Sequence, residues 1–117
     1  MIRQKLDVLL NSHTIDEETF NYVSDVLYYL LEEQIIQEED QADVFLTHLA
    51  MADARRKGGE PVDELDPAIL DEIKNDSNYT HSVELWESLK RIADKRFDES
   101  ELNYFYLHII NMLREKE

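Results

Sequence analysis

The chain has no cysteine, two glycines, two prolines and only 12 lysines and arginines. Without cysteine there is neither a disulfide framework nor a thiolate metal site, which fits a cytoplasmic protein. With so little glycine and proline, the turn chemistry of a many-stranded sandwich or barrel is missing. The two glycines are adjacent, Gly58 and Gly59, so no glycine-rich loop exists to cradle a nucleotide phosphate. The few cations face 27 acids, for a formal net charge of −15. An excess of that sign repels phosphate backbones and anionic lipid heads, and argues against direct nucleic-acid or membrane-surface binding. No apolar run approaches the roughly 20 residues that span a bilayer. The stretch from Met1 to Asp7 also lacks the apolar core of a signal peptide.

What is present suffices for one core. At 117 residues the chain reads as a single domain over 1–117, and a chain of this size buries roughly two-thirds of its unfolded surface. Its charge alone would suit a disordered chain, but 43% hydrophobic residues, with one Trp, six Tyr and four Phe, supply a core.

Periodicity predicts an all-α fold, a compact five-helix bundle. Thr14 with Glu17 forms a capping-box pattern, and Phe20, Val23, Val26, Leu27, Leu30 and Leu31 then mark a helix to about Ile36. Ahead of it, Ile2, Leu6, Leu9 and Leu10 form a short stripe, either a separate N-terminal helix or a frayed tail. A second helix is expected over Gln41 to Lys57, with Arg55, Arg56 and Lys57 in its last turn and Gly58-Gly59 as its stop. Asp66-Pro67 opens a short helix bearing Leu70 and Ile73. After a polar break at Asn75 to Asn78, Val83, Trp86, Leu89 and Ile92 run to about Lys95. Asp98 with Glu101 repeats the cap pattern before Leu102, Phe105, Ile109, Met112 and Leu113.

Motifs for catalysis are missing: there is no His-Glu-x-x-His, phosphate loop or Gly-x-Ser-x-Gly, and the chain is not expected to be an enzyme. Most carboxylates read as a solvated face. Asn78-Tyr79-Thr80 matches a glycosylation acceptor by letters and reads as a loop. His13 and His81 stand among polar residues and read as surface positions. His48 and His108 sit inside apolar helices, beside Leu49 and Leu107. Each is either a partly buried imidazole with one satisfied nitrogen or a functional group. As a pair they make a weak metal site, because no further Asp, Glu or His stands at clear ligand spacing. Neither a metal nor another cofactor is expected.

Two stretches carry a resemblance. Phe45-Leu46-Thr47-His48-Leu49-Ala50-Met51-Ala52-Asp53-Ala54-Arg55 resembles the first signature of the PRD, the phosphotransferase-system regulation domain, with a helical histidine and an arginine seven positions on. Glu101-Leu102-Asn103-Tyr104-Phe105-Tyr106-Leu107-His108-Ile109-Ile110-Asn111 resembles the family's other histidine segment, in which an acid precedes an aromatic-rich turn and a Leu-His-Ile run ends near an asparagine. The likeness covers nearly the whole chain. It departs at Thr47, where PRDs commonly carry an acid able to orient the imidazole or raise its pKa.

The resemblance implies a receiver of phosphate rather than a catalyst. His48 and His108 are then the phosphoacceptors, and the donor is the phosphocarrier protein or a sugar-specific subunit of the sugar phosphotransferase system. Arg55 and Asn111 become phosphate or interface contacts. Such transfer needs a neutral imidazole nitrogen open to the donor and the other nitrogen held by a hydrogen bond. Arg55 lies two helical turns, roughly 10 Å, beyond His48 on nearly the same face. It can meet a phosphoryl group or a carboxylate across an interface, or simply favour the helix C-terminus. Phosphate would add close to two negative charges and switch dimerisation or partner binding in carbohydrate regulation, since PRDs typically form homodimers. Known PRD regulators join two such domains to an RNA- or DNA-binding module. Here helical pattern fills the chain, so a solitary PRD acting on a protein partner is expected.

Two other readings stand beside it. One is a non-phosphorylated acidic helical module that docks on or pairs with another protein. The other is a small metal-dependent hydrolase built on His48, His108 and carboxylates. Exposed, mutually near histidines favour the receiver, and fully buried ones favour packing.

Overall fold

The computed structural model describes residues 2–116, and among them the regular structure is entirely helical. In chain order it comprises α1 (Ile2–Asn11), α2 (Glu17–Glu32), a 3₁₀ turn at Glu39–Ala42, α3 (Asp43–Gly58), α4 (Pro67–Lys74), α5 (Tyr79–Leu89) and α6 (Glu99–Lys116). The expected five-helix bundle is therefore a bundle of six α-helices, because the N-terminal stripe is a helix and not a tail. Ile2 and Leu6 are buried, each worth roughly 1.5–3 kcal/mol. Polar contacts hold α1 down as well: Lys5 donates to Asp43 at 2.6 Å, and Arg3 pairs with Glu39.

Helix α3 lies at the centre and packs against α1, α2 and α6. Its inward residues Phe45, Leu46, Leu49, Ala50 and Ala52 join Val23, Val26 and Leu30 of α2, Trp86 and Leu89 of α5 and Phe105 and Ile109 of α6 in one core. Helix α4 docks on α6 through a smaller cluster of Leu65, Ile73 and Ile110.

Helix ends differ from the local patterns for identifiable reasons. Asp16, and not Thr14, caps α2, its carboxylate accepting from the Thr19 amide at 2.8 Å. Helix α2 stops at Glu32, short of Ile36. Gln34 takes a left-handed φ of 58°, and the Ile35 and Ile36 amides both donate to the Leu30 carbonyl, at 2.9 and 3.2 Å. That turn returns Ile36 to the core. Gln41 belongs to the 3₁₀ turn, so α3 starts at Asp43; it ends as expected, on Gly59 with φ 70°. Asp66 caps α4 as its sequence predicts.

Helix α5 begins at Tyr79 and ends at Leu89, far short of Lys95. Asn78 therefore ends the loop, while Tyr79 and Thr80 of the acceptor-like triplet open the helix. No glycine or proline marks the C-terminal stop. Beyond it, Phe97 packs edge-on to Trp86 and Phe105, at 5.8 and 5.0 Å between centroids. Lys95 turns inward to Asp53 at 3.1 Å. Those contacts require an irregular path.

Asp53 is the main departure from a solvated acidic face. It is wholly buried in α3 and accepts from Thr19 of α2 at 2.7 Å, Arg56 at 3.0 Å and Lys95 at 3.1 Å. Burial works to raise its pKa, but those hydrogen bonds outweigh it and hold the carboxyl below its ordinary value. One carboxylate thus ties α2, α3 and the α5–α6 connection together.

Candidate functional site

Helices α3 and α6 cross so that both histidine segments face one another. The rings of His48 and His108 lie 4.8 Å apart, tilted by 49°. Both residues are half-buried. Tyr104 stacks on His48 at 5.4 Å, and Phe105 meets it edge-on at 5.7 Å. The aromatic turn of α6 thus forms a wall for the imidazole and fixes its plane.

A buried acid completes the site. Glu101, whose side chain is 7% exposed, lies 3.4 Å from Nε2 of His48. Arg55 grips the same carboxylate with two parallel bonds, Nε to Oε2 at 3.1 Å and Nη2 to Oε1 at 3.0 Å. This planar fork is the strong form of an arginine–carboxylate pair. The Nε2 atom of His48 is buried and has no hydrogen-bond partner, since 3.4 Å is longer than a good N–H···O bond.

Burial disfavours a charged imidazole, and this dominates the electrostatics of the pair. It lowers His48, an effect that Glu101 opposes and Arg55 reinforces. It also drives His108 down to about 4, with His48 adding to the shift. Both rings are therefore neutral near pH 7, which leaves a nitrogen lone pair for an electrophile or a hydrogen bond.

Local sequence placed His48, His108 and Arg55 on suitable helices, and the structure brings the two histidines into contact. Arg55 reaches His48 indirectly, through Glu101. Asn111 lies exposed on α6, about one turn beyond His108. His13 and His81 are exposed. Thr47 is partly buried, and its hydroxyl lies 3.4 Å from Asp43, so the carboxylate beside His48 comes from Glu101 on another helix. Glu101 was legible only as a cap residue and as the acid that opens the second signature; its side chain instead holds Arg55. Among the described residues, no group of three or more His, Asp or Glu side chains is placed to hold a metal ion. No described helix is long and apolar enough to cross a membrane.

Fold and site together define a small all-α domain organised around a histidine pair. Residues 13–112 match the family model of the PRD domain, and the chain belongs to that family. The PRD is a regulatory domain of the phosphotransferase system, not a catalytic one. No curated protein and no solved structure matches the chain.

Proposed function

We propose that this domain is a phosphoacceptor that takes phosphate on His48 and His108 from the phosphocarrier protein or a sugar-specific phosphotransferase subunit. The observation that supports this best is the pair itself: two neutral, half-buried imidazoles 4.8 Å apart on facing helices. Phosphate on either ring adds close to two negative charges, and on His48 it does so beside buried Glu101. Added to a chain of net charge −15, it alters the α3–α6 surface and switches homodimerisation or the binding of a protein partner in carbohydrate regulation. On this reading the domain acts in the cytoplasm, without catalysis. Asn111 and Arg55 contact the phosphate or the interface.

Phosphotransfer tests this. Wild-type protein incubated with phosphorylated phosphocarrier protein should gain acid-labile phosphate, and the His48→Ala/His108→Ala double variant should gain none. A folded wild type that takes no phosphate from either class of donor would sink the proposal. One observation favours the acidic interaction module instead: Nε2 of His48 is buried and Arg55 is already occupied by Glu101. On that reading the histidines serve packing, and the same assay returns no phosphate from a folded, partner-binding domain.

A further inference from the structure

Glu101 stands where a phosphoryl group on His48 would have to go. Its Oε1 is 3.4 Å from Nε2, a separation that leaves no room for a phosphorus atom and its three oxygens. Two anions side by side in a nearly dry site repel one another strongly. The carboxylate must therefore leave its place if Nε2 is to be phosphorylated.

The surroundings supply both a replacement for Glu101 and a destination for it. Arg55 presents a fork that suits a phosphoryl group as well as a carboxylate. Glu101 also lines a cleft of about 240 Å³ with the cations Arg56 and Arg96 and the acids Glu60 and Asp98. Arg56 is engaged by Asp53. Arg96 is exposed and makes no ion pair among the described residues. A displaced Glu101 thus has an unused guanidinium in the cleft it already borders.

We propose that Glu101 gates the phosphoacceptor site: phosphorylation of His48 at Nε2 transfers Arg55 from Glu101 to the phosphoryl group, and Glu101 swings into the cleft to pair with Arg96. The inference rests on the phosphoacceptor reading and adds its regulation. In the transfer, the lone pair of Nε2 forms the new P–N bond as the P–N bond of an N-phosphohistidine or phosphoramidate donor breaks. The electron pair of that bond returns to the donor nitrogen, which takes up a proton, while the other ring nitrogen of His48 sheds one. Modification of a recessed imidazole is thereby read out as a changed charge pattern around Arg96.

The test uses the full chain carrying His108→Ala, so that incorporated phosphate reports on His48, with potassium phosphoramidate as donor. Glu101→Gln, which removes the repelling charge and keeps the shape, should raise the initial rate of His48 phosphorylation about tenfold, as relief of a like-charge contact predicts. Arg96→Gln should shorten the half-life of the phosphohistidine, because displaced Glu101 then lacks a partner and competes for Arg55. Arg55→Gln strands a buried carboxylate and can unfold the chain, so Arg55→Gln/Glu101→Gln takes its place and should lose the stability of the phosphohistidine that Glu101→Gln retains. If His48 is phosphorylated but Glu101→Gln leaves the rate within about twofold of its parent, the gate is overturned and the acceptor reading stands. If no phosphohistidine forms at His48 in the parent or in Glu101→Gln, the gate is overturned together with His48 as an acceptor, whereas the acceptor reading as a whole falls only if wild type also takes no phosphate from the phosphotransferase donors.

Discussion

The imidazoles of His48 and His108 meet at 4.8 Å, and the second is pushed down to about 4 by burial and by the first. An unfolded histidine takes its proton near pH 6.5, whereas folded His108 resists protonation until about pH 4. Between those values the unfolded chain binds more protons. This contribution to stability is therefore complete above about pH 6.5 and is lost as pH falls toward 4. Histidine ring NMR should show His108 still neutral at pH 5.5, and His108→Ala should flatten the fall in urea midpoint across the window. A His108 midpoint near the ordinary value would contradict this.

Asp53 should be the carboxylate most costly to remove. It is wholly buried, and Lys95, its partner, is itself only 8% exposed. Asp53→Ala leaves that recessed ammonium with only the exposed Glu18, 3.1 Å away, as partner, and should cost about 3–5 kcal/mol, a large part of the roughly 5–15 kcal/mol typical of a domain. Adding Lys95→Met should recover part of the loss. Urea denaturation measures both, and a loss below about 1 kcal/mol would show that the network contributes little.

Phe105 touches Phe45, Trp86, Phe97 and His48 at ring-centroid distances between 4.8 and 6.3 Å. Phe105→Ala should cost about 3–5 kcal/mol through lost burial and a cavity. Emission from Trp86, the single tryptophan, should change with it. An unchanged spectrum and midpoint would mean that the aromatic wall is not what holds the site.

At the start of α2, Asp16 serves as cap and as ion-pair partner of Lys57, 2.9 Å away. The lysine bond and the Thr19 amide lower its carboxyl to about 2. Its contribution is thus present above the ordinary carboxylate range and fades as pH falls toward 2. Asp16→Ala should cost about 1 kcal/mol. Asp16→Asn keeps the cap and should cost less than half as much, because an exposed ion pair contributes little. Equal losses in thermal or urea denaturation would shift the weight from the cap to the charge.

Much of this molecule was legible along the chain. The stripe Val23, Val26, Leu27, Leu30 does face the core, Gly59 does end α3, and Asp66 does open α4. The two histidine segments were recognisable from letters alone, and they lie on α3 and α6. The early end of α5 was not legible, because no residue near Lys90 breaks a helix locally. Its path is set by Phe97 and Lys95, which are drawn to groups on other helices.

The residues by themselves determined the all-α class, the apolar face of each long helix and the histidines' positions along α3 and α6. Those properties follow from periodicity and capping, which act within a few turns. Tertiary structure alone decided which acids leave the solvated face. A carboxylate can stay charged in the interior only where donors from several elements converge on it, as Thr19, Arg56 and Lys95 do on Asp53. Glu101 is held instead by one residue of a crossing helix, the two-pronged guanidinium of Arg55. The charge of −15 could not single out those two acids, because local sequence does not show which partners the crossing helices bring.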